Sequence, residues 1–224
     1  AELTAELTNR KKQYAFYREE LLTFGEDVEW KTLGEVFNLR NGYTPSKSNK
    51  EYWQDGTVPW FRMEDIRENG RVLNNAIQSV NSCAIKGGKY FPANSLIIAT
   101  SATIGEHALI TVPFLANQRF TNLSLKNKYE QKFSMKFLFY YTFILDEWCK
   151  NNTTISSFAS VDMNGFKKFP IPIPPLAEQE RIVNILDKFD ALTTSMSEGL
   201  PREIELREKQ YEYYRDLLLT FPKE

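Results

Sequence analysis

The sequence predicts an α+β fold, a mixed α/β body with a β-rich core flanked by long helices that form an antiparallel coiled coil. Two observations carry this. First, one stretch is written twice: residues 10–24 read RKKQYAFYREELLTF and residues 207–221 read REKQYEYYRDLLLTF. At an offset of 197, ten of the fifteen positions are identical, from Arg10 with Arg207 to Phe24 with Phe221. Second, the chain between them abandons helical spacing for short apolar runs separated by polar turns, the pattern of strands.

In the first copy a seam runs Leu3, Leu7, Arg10, Tyr14, Tyr17, Leu21, Phe24 in steps of four and three. Adding the offset gives Leu200, Ile204, Arg207, Tyr211, Tyr214, Leu218, Phe221. Such steps place side chains along one narrow helical face, as a coiled-coil seam requires. An Arg in each seam is costly unless it sets register or meets a partner. The first helix is expected from about residue 2 to Phe24, stopping at Gly25.

The body follows, residues 25–175. Thr32 and Glu35 have capping-box spacing ahead of a short helix expected to end near Asn41-Gly42. Residues 43–56 are polar and read as an exposed loop. Val58–Phe61 reads as a strand, then a charged turn through Arg62, Glu64, Asp65 and Arg67. Residues 95–100, 108–112 and 121–125 are strand-like, linked by polar pieces at 101–105 and 116–119. Residues 131–150 return to helical spacing, with Phe133, Phe137, Tyr140, Tyr141, Ile144, Leu145 and Trp148 on an apolar face that should pack on the sheet. Pro170, Pro172, Pro174 and Pro175 forbid a helix or central strand, so this segment is a stiff extended connector. The last region, 176–224, is a long helix with Ile182, Ile185, Leu186, Phe189, Leu192 and Met196 inward, broken at Gly199-Leu200-Pro201.

Composition excludes several classes. The 224 residues are 42% hydrophobic and 14% aromatic, too rich for disorder. Two distant cysteines, Cys83 and Cys149, suggest neither a disulfide framework nor a zinc site, and a cytoplasmic setting is expected. No apolar run reaches the roughly 18 residues of a membrane span, so no membrane partner is expected. No signal peptide opens the chain, and a start at Ala1 is expected of an excised or trimmed segment. The net charge of −1 hides an asymmetry: residues 25–175 hold 17 Lys and Arg against 14 Asp and Glu, while the two ends together hold 11 against 15. A mildly basic body on acidic helices fits DNA on one and protein on the other.

Several motifs in order resemble the specificity subunits of type I restriction–modification systems. They are VEWKTLGEVFNLRNGYTP, VPWFRMEDI, SLIIATSATIGEHALI and LANQRFTNL in the body, then PLAEQERIVNILDKFDALT and EGLPREIELREKQYEYYRDLLLTF. The resemblance covers essentially the whole chain. It implies a target recognition domain reading one half of a split double-stranded DNA target. It also implies paired conserved helices, with methyltransferase and restriction subunits as partners. The chain departs from the two-domain plan by having one domain, with the end of a preceding conserved helix, residues 1–24, in front. It therefore resembles half a subunit, expected to pair through its helices with a second half or a second copy.

Catalytic chemistry is missing. The adjacent prolines, Pro174-Pro175, lack the flanking amide and aromatic of an adenine methyltransferase, and there is no GxxxxGK[ST] loop. Glu64-Asp65 reads as a solvated turn rather than a magnesium site, and the sole histidine, His107, as a surface or satisfied core residue. No catalytic residue, metal or cofactor is expected. Recognition chemistry is better supplied, since Arg, Lys, Asn and Gln read base edges while Lys, Arg, Ser and Thr hold phosphates. The candidates for DNA are Tyr43, Thr44, Ser46, Lys47, Arg62, Ser101, Thr103, Asn117, Gln118, Arg119, Lys167 and Lys168, with Arg62 and Gln118 as base readers. Asn117 and Gln118 could instead buttress the sheet. The interface candidates are Leu3, Leu7, Tyr14, Tyr17, Leu21, Ile182, Leu186, Phe189, Ile204, Tyr211, Tyr214, Leu218 and Phe221. Residues 200–221 should project with a bare apolar stripe. The competing reading is a coiled-coil adaptor whose body binds protein.

Overall fold

The computed structural model describes residues 2–154, 159–195 and 199–220. Contacts divide the chain into two units, a body of residues 24–179 and a helical unit of residues 1–23 with 180–224.

In the body, β1 (Glu29–Thr32) leads into a single helical turn, α2 (Leu33–Val36), after the opening helix α1 (Glu2–Leu21). The capping box is present: Glu35 N donates to Thr32 Oγ1 at 3.3 Å, and Thr32 N donates to Glu35 Oε2 at 2.8 Å. The helix does not run on to Asn41-Gly42 as expected. Residues Phe37–Asn41 are instead strand β2, because Phe37 and Leu39 alternate with Asn38 and Arg40, a two-residue period that a sheet can bury.

The next elements are β3 (Val58–Phe61), α3 (Met63–Asn69), β4 (Val72–Leu73), β5 (Ser79–Val80), β6 (Ser95–Ala99), β7 (His107–Ile110), β8 (Leu115–Ala116) and β9 (Phe120–Leu125). Among the described residues, a five-stranded sheet has the order β2-β9-β6-β7-β4, and a three-stranded one the order β5-β3-β8. The pairs β4–β7 and β3–β8 are parallel and the rest antiparallel. All five residues of β6 are buried, which explains its unbroken apolar run: both faces are covered. On one face Ile97, Ala99, Ala108 and Ile110 join Phe61, Phe91, Phe114 and Phe120. Helix α4 (Met135–Asn151) also packs on β6 and β7, burying Phe137, Leu138, Tyr140, Tyr141 and Leu145. At about 1.5–3 kcal/mol for each fully buried large apolar side chain, this face is a main source of stability.

His107 is a core residue. Its Nδ1 pairs with Asp146 Oδ2 at 2.6 Å beneath edge-on contacts from Phe139 and Phe143. The Glu64-Asp65 reading needs correction. Glu64 is exposed, but Asp65 is fully buried in the first turn of α3, where its two oxygens accept from Arg62 N and Ile77 N, both at 2.6 Å. The charged turn is a helix, because a carboxylate three residues after Arg62 caps it.

The body closes with β10 (Thr153–Thr154), β11 (Ser160–Val161), α5 (Met163–Lys168) and β12 (Pro170–Ile173). The prolines of β12 are accommodated because, among the described residues, it pairs only with β1, in a two-stranded ribbon. Helix α6 (Leu176–Thr194) starts on the connector. There Gln179 is fully buried, accepting from Ser134 N and donating to Lys132 O and Pro174 O, each at 2.8 Å.

In the helical unit, Tyr14 and Tyr17 of α1 stack on Phe189 of α6, with ring centroids 6.2 and 5.4 Å apart. Gly199 starts α7 (Leu200–Leu219), where any side chain would press on the Ala191 and Leu192 carbonyls, and Pro201 occupies its first turn. The expectation that residues 200–221 lack any partner is corrected in part: α1 reaches past the break, and Leu3 and Thr4 share a groove with Ile204 and Tyr211. From Leu206 to Thr220 every residue is exposed. The first helix ends at Leu21, and Phe24 leaves the seam for the body, meeting Phe137 edge-on at 6.0 Å. The seam arginines are satisfied along their own helices. Arg10 bonds Glu6 and Gln13, and Arg207 bonds Gln210 in the equivalent way, at 3.1 and 3.2 Å. Met196 and Phe221 lie outside the described residues.

Candidate nucleic-acid interface

Most of the sequence-predicted DNA residues come from loops that leave neighbouring strands at one edge of the body. Strand β2 ends at Asn41, and the backbone passes through Gly42 into Tyr43, whose N–H donates to Ala116 O at 2.8 Å. A side chain at position 42 would overlap the Ala116 and Asn117 carbonyls, so only glycine lets these two loops touch. Strand β3 ends beside β8, with Asn117 N donating to Phe61 O at 3.0 Å. That contact sets Arg62 next to the 117–119 turn. Strand β6 leaves through Thr100, whose N–H donates to Arg119 O at 3.0 Å, and Ser101 then bridges Ser160.

The side chains at this edge differ in how far they are committed. Tyr43 is half-buried and structural: its hydroxyl donates to Ala84 O at 3.1 Å and accepts from Lys86 N at 3.0 Å. Thr44 Oγ1 donates to Gln118 Oε1, leaving the exposed Gln118 amide nitrogen as a donor. Asn117 Oδ1 accepts from Arg119 N at 3.0 Å, shaping the turn. Arg119 is exposed. Ser46 and Ser48 pair at 2.7 Å on the exposed loop that also carries Lys47. Thr103 Oγ1 is enclosed without a hydrogen-bond partner, in a loop that crosses α4 at Gly105 with a positive φ of 78°.

Arg62 sits over the Trp60 ring at 5.5 Å. Its Nε is enclosed without a hydrogen-bond partner, and Glu64 is a distant 4.0 Å away. A guanidinium stacked on an indole, with only a long ion pair to Glu64 besides, is oriented in advance for a planar partner. Lys167 and Lys168 are not brought to this edge. They end α5, and Lys167 packs against Gly34 in α2, the turn that precedes β2, whereas Gly42 follows the far end of β2.

The structure adds residues that sequence reasoning passed over. Lys50, Trp53, Gln54 and Gln78 line an open groove of about 460 Å³ with Lys47 and Arg62. The interleaved lysines and aromatics of KSNKEYWQ were the available signal. Among the described residues, no group of His, Cys, Asp and Glu could hold a metal ion, and no helix is long and apolar enough to cross a membrane.

The family model described as the type I restriction modification DNA specificity domain matches residues 25–206. The chain belongs to that family. It is 61% identical over 215 residues to the EcoprrI type I restriction enzyme specificity subunit of Escherichia coli, covering 93% of this chain and 53% of that protein. It is 45% identical over 237 residues to the EcoR124I/EcoR124II specificity subunit of Escherichia coli, covering 100% of the chain and 56% of the relative. The chain thus spans about half the length of these curated relatives. In fold it is similar to the HsdS subunit from Thermoanaerobacter tengcongensis, with a TM-score of 0.63 and 19% identity over 90% of this chain and 48% of that one.

Proposed function

We propose that residues 25–175 form a target recognition domain that reads one half of a bipartite duplex target. In this reading the chain directs methyltransferase and restriction subunits to DNA in the cytoplasm and catalyses nothing itself. The observation that carries the proposal is the single edge at which Thr44, Arg62 and the adjacent pair Gln118 and Arg119 meet, from three different strand connections. Arg62 offers a forked donor for a guanine edge and Gln118 a second reader, while Lys47, Ser46 and Arg119 suit phosphates. A body of this size makes few phosphate contacts, so its own affinity is modest and falls with salt.

The helices supply the partner surface. Tyr14 and Tyr211 are equivalent in the repeat, yet Tyr14 is 7% exposed and Tyr211 68%. Phe189 covers the first, and among the described residues nothing covers the second equally. The stripe of Tyr211, Tyr214 and Leu218 therefore pairs with the corresponding helix of a second half-subunit or a second copy, consistent with relatives about twice as long.

The test is binding to a pool of duplexes, with the methyltransferase subunits present and absent. Arg62→Ala and Gln118→Ala should each relax one position of the preferred sequence by about 1–3 kcal/mol, whereas Arg119→Ala should weaken all sequences alike. Unaltered recognition by both of the first two variants would overturn the assignment of readers.

A further inference from the structure

We propose that Gln78 is a specificity-determining residue that reads an adenine edge from the groove beside Arg62. The inference rests on the DNA-recognition reading above and adds a reader at the entry to a strand.

Gln78 lies directly before β5, opposite Trp60. Trp60 N donates to Gln78 O at 3.0 Å, extending the antiparallel register in which Pro59 faces Ser79. Cross-strand partners project to the same face of a sheet, as do residues two apart on one strand. Gln78, Trp60 and Arg62 therefore share one face. The Trp60 indole meets Trp53 edge-on at 5.0 Å and carries the Arg62 guanidinium 5.5 Å from its ring centre. The neighbouring residue is fixed as well, because Ile77 N is bound by the buried Asp65. Gln78 thus has a backbone anchored on two sides.

Its side chain is uncommitted. It is half-buried, lines the groove, and among the described residues no hydrogen bond uses its amide. The charged residues lining the groove are all cations: Lys47, Lys50 and Arg62. A polyanion is favoured there, and the amide presents one donor and one acceptor side by side. That pair matches the N7 acceptor and N6 donor of adenine in the major groove. Gln118 is less free, since its carbonyl already accepts from Thr44. Lys47 and Lys50 at the rim would hold the flanking phosphates.

The test is selection of the full chain, with the methyltransferase subunits present and at low salt, on duplexes with a randomised centre, read by sequencing. The wild type should enrich adenine at a position that Gln78→Ala relaxes about tenfold or more, with other positions kept. Gln78→Glu, which keeps the shape and acceptor but loses the donor, should move that position toward cytosine, whose amino group only donates. Lys50→Ala should lower binding to all sequences and leave the preference intact. If both Gln78 variants keep the wild-type preference at every position, Gln78 is not a reader, while DNA recognition stands. If the wild type itself selects no sequence, the recognition reading fails and this inference with it.

Discussion

Replacing Asp65 with alanine should destabilise the body out of proportion to the size of the change. The carboxylate is completely buried and accepts two backbone hydrogen bonds at 2.6 Å, from Arg62 N at the end of β3 and Ile77 N ahead of β5. Alanine removes both acceptors and leaves two part-buried backbone donors unpaired. Leaving a buried donor unsatisfied costs about 1–3 kcal/mol, so the pair amounts to at most roughly 2–6 kcal/mol. A typical domain has only about 5–15 kcal/mol in total. Asparagine keeps one acceptor but turns an amide N–H toward a donor, so it should fall between alanine and wild type. Urea unfolding followed by tryptophan fluorescence measures this directly, as a shift in midpoint at unchanged slope. A loss below about 0.5 kcal/mol for Asp65→Ala would refute the view that this carboxylate ties the two segments together. Sequence recognition should suffer too, because the same bonds fix the backbone of Arg62 and of the residue before Gln78.

Other perturbations separate the two repeat copies and the two thiols. Tyr14→Ala removes a buried ring stacked on Phe189 and should cost about 2–4 kcal/mol in a melt, whereas Tyr211→Ala should leave the melt unchanged and weaken association in sedimentation. Equal stability losses from the two would contradict the asymmetry. Burial, reinforced by the nearby Asp146, pushes the Cys149 thiol up to about 12, so its thiolate is scarce at neutral pH. One thiol, the exposed Cys83, should react with a disulfide reagent at pH 8, and both only after denaturation. Gly42→Ala should force the 43–44 and 116–119 loops apart, lowering stability by about 1–3 kcal/mol and blurring recognition. A variant with wild-type stability would show that the loops have room to spare.

The sequence made the large elements legible because each carried its own period. The repeat marked α1 and α7, the continuous SLIIA run marked a strand covered on both faces, and the prolines marked the exit from the body. Where two signals overlapped, the weaker lost. The Thr32–Glu35 box started a helix, but Phe37 and Leu39 pulled the chain into the sheet after one turn. Asp65 looked solvated because local sequence does not reveal a distant backbone donor such as Ile77. The candidate edge was legible where polar residues clustered between strands, at 43–47, 101–103 and 117–119. Gln78 was not, since its proximity to Arg62 depends on the β3–β5 pairing. Lys167 and Lys168 show the converse, a basic pair that ends a helix packed against Gly34 of α2 rather than a loop at the candidate edge.

The central claim is that the body holds the sequence preference and the helices hold the partners. Exchanging residues 25–175 into a two-domain specificity subunit and sequencing the methylome of cells carrying the intact system tests it most directly. The account predicts that one half of the methylated target changes while the other half keeps its sequence. An unchanged target, with the hybrid subunit folded and the system active, would contradict it.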